Sequence, residues 1–168
     1  MKINIHRYIS IVKNILTGRQ YRGRFYNSFI FFLAFILYAN TIPNDFSLDD
    51  HLVSRKHPFV TKGVAGILDI LSNPYQKEEE SMGEYRPIPQ ITFALEYELF
   101  GENQNMSHFI NALLYAFICL FLYLVLMKVF GADYFQYVFL ATLIFLMHPI
   151  HTEVVANIKS RDEIFSLF

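Results

Sequence analysis

The sequence predicts an all-α membrane protein, and three observations carry that expectation. Of its 168 residues 54% are hydrophobic and 17% aromatic, with a mean hydropathy of +0.29, whereas a soluble domain holds about 45–50% apolar residues. The excess sits in three blocks, and a mixed polar region separates the first two. Charge is sorted in the same way. Residues 1–27 carry Lys2, Arg7, Lys13, Arg19, Arg22 and Arg24 and no acid, while residues 43–107 carry five Lys or Arg against eleven Asp or Glu.

The elements follow in order. In segment 1–24, Ile5, Tyr8, Ile9, Val12, Ile15 and Leu16 recur at helical spacing and Lys2, Arg7 and Lys13 fall off that stripe. This is the pattern of a basic amphipathic helix on an anionic lipid surface, with a frayed polar leader as the other reading. It also accounts for the basic N-terminus without a nucleic-acid partner. A cleavable signal peptide fits poorly, because the apolar run begins only near Phe25 and no small-x-small site follows it. Segment 25–43 is the first expected transmembrane helix: Phe25 to Asn44 is free of charge, and about 20 residues cross ~30 Å of hydrocarbon. The positive charges before it put the N-terminus in the cytoplasm, so Asp49 and Asp50 emerge on the opposite side.

Segment 44–107 reads as an external loop containing the acidic pair. Val64, Ile67, Leu68 and Leu71 mark one amphipathic helix, closed by Asn73-Pro74; Ile88, Ile91, Leu95 and Leu99 mark another after Tyr85-Arg86-Pro87. Neither buries its apolar face alone, so both are expected in the membrane interface or against the helical bundle. Lys77-Glu-Glu-Glu80 reads as solvated surface. Segment 108–130 is the second expected transmembrane helix, ended by Lys128 and Gly131, and segment 134–149 the third. It returns to the external side at His148-Pro-Ile-His-Thr-Glu153, on the same face as Asp49 and Asp50 by alternation. In segment 150–168, Val154, Val155, Ile158 and Phe165 share one helical side, and Glu153, Asn157, Ser160 and Arg161 another. The sequence stops in an apolar-rich stretch, which reads as the N-terminal piece of a longer chain.

Several of these residues suit group transfer at a membrane surface. A carboxylate at Asp49 or Asp50 suits a general base, or a holder of a divalent metal near a leaving phosphate; the plain alternative is a helix cap or solvated turn. Adjacent carboxylates on an extended segment point opposite ways, so one of the two faces a given substrate. His148, His151 and Glu153 suit hydrogen bonding to an acceptor substrate or to the Asp49–Asp50 pair. An intervening proline and a single nearby carboxylate argue against a dedicated zinc site there, and no metal is assigned. Arg86 and Arg161 suit phosphate binding, with an interfacial anchor and an ion pair as their plain alternatives. Cys119, the one cysteine, lies in an apolar run and offers no disulfide framework.

Three motifs occur in a telling order: Asp45-Phe-Ser-Leu-Asp-Asp50 after the first apolar run, Tyr85-Arg-Pro87, and His148-Pro-Ile-His-Thr-Glu153 leading to Ser160-Arg-Asp-Glu163. Over roughly residues 25–168 this resembles the N-terminal part of the transmembrane, tetratricopeptide-containing protein O-mannosyltransferases and their bacterial relatives. The resemblance implies the N-terminal portion of a GT-C-type multi-span helical bundle, with interfacial helices in its first external loop. It further implies an inverting membrane glycosyltransferase that moves a sugar, mannose by the likeness, from a polyprenyl-phosphate donor to Ser/Thr hydroxyls of an acceptor protein. Asp49 and Asp50 match the acidic motif, one of them the base and Asp49 the favoured one; Arg86 and Arg161 would lie near the donor phosphate. The family's Gly-Arg-x-Glu reads Ser160-Arg-Asp-Glu163 here. The further membrane helices and the tetratricopeptide repeats are absent.

The rival reading is a non-catalytic multi-span scaffold or an inactive truncated fragment, in which the acid pair is a cap. A transporter ranks below both, since no expected transmembrane segment carries a charge in its middle. The expected location is a multi-pass integral membrane protein. An Ile/Lys/Asn/Phe-rich composition points to a bacterial inner membrane, with the endoplasmic reticulum membrane as the alternative.

Overall fold

A computed structural model describes residues 23–47, 50–53 (backbone alone at 51 and 52), 57–73 and 85–167. The expected basic helix over 2–16, Asp49 and the Lys77–Glu80 turn lie outside the described residues. Those residues form helices and turns, with no strand among them.

Helix α1 runs over residues 23–38 and tightens into a 3₁₀ turn at Ala39–Thr41. Helix α5, Gln104–Phe130, is the one described helix long and apolar enough to cross a membrane; its 27 residues reach about 40 Å. The Asn103 side chain caps its start, accepting from the Met106 amide at 3.1 Å. The Gly131 amide closes its end on the Met127 carbonyl at 3.0 Å. Helix α6, Phe135–Leu146, is apolar but has only 12 residues, about 18 Å. It is shorter than the expected 134–149 because it opens on a 3₁₀ turn, Ala132–Tyr134, and ends before Pro149. Of three expected crossings, one is clear by length.

α1, α5 and α6 share one core: Ile30, Ala34 and Tyr38; Ala112, Tyr115, Ala116, Cys119 and Tyr123; Val138 and Leu146. Alanines on α1 and α5 let the backbones approach, and aromatic pairs fill the rest. Tyr26 meets Phe135 at 4.5 Å, Phe31 meets Phe117 at 5.0 Å and Tyr38 meets Tyr115 at 4.9 Å between ring centroids. The outer faces of these helices carry exposed Phe32, Ile36, Phe121 and Ile144.

A second layer lies at the other end of α5. It comprises the short helix α2 (Asp50–Val53), a 3₁₀ stretch (Val60–Gly66), α3 (Ile67–Ser72), α4 (Pro87–Phe100) and α8 (Arg161–Ser166), while α7 (His151–Ala156) joins the two layers with Val155 in the first core. Its core is Val53, Val60, Ile70, Phe93, Ala94 and Ile158. The 3₁₀ stretch packs closely on α4. Gly63 has φ 61° and a Cβ there would meet the Glu98 carboxylate, while a Cβ on Gly66 would stand 1.9 Å from the Phe59 carbonyl oxygen. Most of the two amphipathic stripes face outward: Leu68 is 76% exposed and Leu99 72%, with Val64, Leu71, Ile88 and Leu95 also exposed, while Ile67 is half-buried and Ile91 packs against this second core.

Candidate functional site

The segment 157–162 collects the predicted motifs. Its turn follows α7 because Asn157 takes an extended conformation (φ −97°, ψ 118°) that ends the helix. Four side chains then tie it to the rest of the chain.

The first tie is Asp50, which is fully buried. Its Oδ2 accepts from the Ser47 amide and hydroxyl, both at 2.8 Å, at the start of α2. Its Oδ1 accepts from the Lys159 amide at 2.8 Å across 109 residues of sequence. Asp50 is therefore both the cap foreseen as its plain reading and the anchor of the acidic loop on the 157–162 turn.

The second tie is Arg161, whose side chain is 0% exposed. Nε donates to Asn111 Oδ1 at 2.7 Å, Nη1 to Glu96 Oε2 at 2.5 Å and Thr92 Oγ1 at 3.2 Å, and Nη2 to the Ser107 carbonyl at 3.3 Å. The guanidinium also stacks 4.0 Å from the Phe93 ring centroid. Burial pushes its pKa down from the ordinary value, opposed by the Glu96 carboxylate. Of the two arginines expected at a donor phosphate, Arg161 thus turns all three nitrogens to protein oxygens. It makes the ion pair that was its plain alternative. The third tie is Asn111, whose Nδ2 donates to the Asn157 carbonyl at 3.2 Å.

Arg86 is the fourth. It stands exposed at the entry to α4 and ion-pairs with Asp162. Together they border an open cleft of about 540 Å³, lined also by Tyr85, Ile88, Glu163 and Phe165. The Tyr85 hydroxyl donates to the Leu71 carbonyl at 3.0 Å, holding this entry against the end of α3.

Asp50, Arg86 and Arg161 are therefore joined through four consecutive residues, 159 to 162. The His148–Glu153 cluster is placed differently. His148 and Glu153 are exposed, whereas the His151 ring packs 4.5 Å from Phe145 and 5.4 Å from Tyr115. Burial pushes the His151 pKa below its ordinary value, and His148 adds to this. Among the described residues no group of three His, Cys, Asp or Glu is placed to hold a metal ion.

A search for apolar stripes passes over Thr92, Glu96, Ser107 and Asn111, which line the Arg161 site. Each pair is four residues apart on one helix, so a polar pair one turn apart in an otherwise apolar helix is the signal that finds them. Ser107 Oγ also donates to Glu96 Oε1 at 2.5 Å. Neighbouring His108 is buried, 1% exposed.

Fold and motifs together define an all-helical protein with a membrane-length helix and a buried charged network at one end of it. Curated relatives make the class specific. The chain is 33% identical over 146 residues to protein O-mannosyl-transferase F38B6.6 of Caenorhabditis elegans, covering 80% of this chain and 21% of that protein. It is 30% identical over 138 residues to protein O-mannosyl-transferase TMTC1 of Homo sapiens (78% and 15%), and 37% identical over 90 residues to human TMTC3 (53% and 9%). The chain is a relative of the TMTC protein O-mannosyl-transferases, and it spans about a fifth or less of the length of the relatives it matches. These relatives are animal proteins, which lends no support to the bacterial inner membrane. No family model matches the chain, and no solved structure does.

Proposed function

We infer that this chain forms the acidic-loop end of a membrane glycosyltransferase that moves a sugar, mannose by likeness to its relatives, from a polyprenyl-phosphate donor to Ser/Thr hydroxyls of an acceptor protein. The observation that carries the reading is the joining of Asp50, Arg86 and Arg161 through residues 159–162, in a chain related to proteins named O-mannosyl-transferases.

Both Asp50 oxygens are already engaged by Ser47 and Lys159, so the base falls to Asp49. The acceptor oxygen attacks the anomeric carbon, its proton passes to the Asp49 carboxylate, and the bond from that carbon to the phosphate oxygen breaks. The leaving group is polyprenyl phosphate, and Arg86 in the cleft neutralises its charge in exchange for Asp162. Arg161 acts behind the site, holding its parts. With the N-terminus cytoplasmic, the site faces the external side. The outward apolar faces of α3 and α4 then rest in the lipid interface, where the donor's phosphate also lies.

The test uses the full-length parent in membranes with a labelled polyprenyl-phosphate sugar and a Ser/Thr-rich acceptor. Label should enter protein with the parent and fall by about 100-fold or more with Asp49→Asn. Full transfer by that variant removes Asp49 from the reaction.

A further inference from the structure

Glu96 lies outside the lining of the Arg86 cleft, yet it governs the part of the chain that joins that cleft to the acidic loop. It stands on α4 between Leu95 and Tyr97, 7% exposed. Its carboxylate takes the Ser107 hydroxyl on one oxygen and the Arg161 guanidinium on the other, each at 2.5 Å. Arg161 follows the turn whose Lys159 amide binds Asp50 and precedes the Asp162 that pairs with Arg86. A displacement of the guanidinium is therefore passed within two residues to both halves of the site.

Stability alone does not call for such a pair. Replacing a buried ion pair by apolar side chains of similar volume is often neutral or stabilising, whereas removing one partner is costly. What the pair supplies is direction, because the guanidinium fork meets Thr92, Glu96, Asn111 and Ser107 in one fixed orientation. We propose that Glu96 is a positioning residue for sugar transfer. Through Arg161 it fixes residues 159–162, and so sets the placement of the acidic loop relative to Arg86. This rests on the reaction proposed above.

The experiment compares the full-length parent with Glu96→Gln and with the double variant Glu96→Met/Arg161→Met, reading Tm, hydrogen exchange at the Lys159 amide, and kcat and KM for a labelled polyprenyl-phosphate sugar. Glu96→Gln lowers Tm, because it strands a buried cation. The double variant regains the parental Tm, yet its Lys159 amide exchanges faster and its kcat stays down by about 100-fold, the size of loss that a ~1 Å misplacement causes. Its KM rises by far less than its kcat falls. Parental Tm, exchange and kcat in the double variant would reduce the pair to scaffold and overturn the proposal. If the double variant does not fold, Glu96→Asp keeps the charge and draws it back by one methylene. A reduced kcat at unchanged Tm then supports positioning, and an unchanged kcat overturns it. If the parent itself transfers no sugar from the lipid donor, the reaction reading fails, while faster Lys159 exchange in the double variant still assigns Glu96 its effect on the loop.

Discussion

The two layers of this molecule are held together by opposite means. In the layer of α1, α5 and α6, alanines and aromatic rings fill the contacts, and the outward faces are apolar as well. The contacts there are many, individually weak and tolerant of exchange. In the layer of α2, α3, α4 and α8, a fully buried Asp50 and a fully buried Arg161 lie beside the apolar core, while leucines lie on the outside. There the polar contacts are specific, and one deletion strands a charge. The first layer needs only an apolar surrounding to persist, and the second needs its parts in register. That difference marks the second as the place where geometry is worth maintaining.

Breaking the polar layer should have the larger effect. Arg161→Met leaves the Glu96 carboxylate buried beside Ser107 with no cation, and should cost about 3–5 kcal/mol of unfolding free energy in a denaturant titration of the protein. A loss below ~1 kcal/mol would mean that the pair is solvated in the assembled protein. Breaking the apolar layer should cost less. Ala116 is 0% exposed in the helix core, and Ala116→Leu should lose about 1–3 kcal/mol through overpacking, read in the same titration. If Ala116→Leu proves the costlier change, the contrast between the layers is drawn the wrong way round.

The smallest effect comes at the junction of the layers. His151 is pressed between Phe145 and Tyr115, and burial keeps its folded-state pKa below the ordinary value of 6.5. The unfolded chain then binds the proton first. Stability is full above about pH 6.5 and drains away as pH falls from there towards the lower folded-state pKa. A Tm series from pH 8 to pH 5 should show this decline, and His151→Phe should flatten it.

The sequence made the two layers legible to different degrees. Helix α5 is written plainly, in a long run without Asp, Glu, Lys or Arg from Asn103 to Met127, although it begins at Gln104, four residues before the expected 108. The outward stripes Val64–Leu71 and Ile88–Leu99 were equally visible, because lipid-facing and core-facing apolar residues look alike in a pattern. That same ambiguity hid their direction. The polar layer resisted for another reason: Glu96 meets Arg161 across 65 residues of sequence and Asp50 meets Lys159 across 109, and no local periodicity encodes such pairs. Arg161 and Arg86 share a residue type, yet one is enclosed and the other opens on a cleft. Asp50 could be singled out from its neighbour only once its partners were seen.

That last distinction gives the most direct measurement. In the protein in its membrane, Asp49→Asn and Asp50→Asn are compared for Tm and for transfer of sugar from the labelled lipid donor proposed above. Asp49→Asn should keep the parental Tm and lose transfer, whereas Asp50→Asn should lower Tm because the ties to Ser47 and Lys159 weaken. Parental transfer in Asp49→Asn, or parental Tm in Asp50→Asn, would contradict the division of the pair into a base and an anchor.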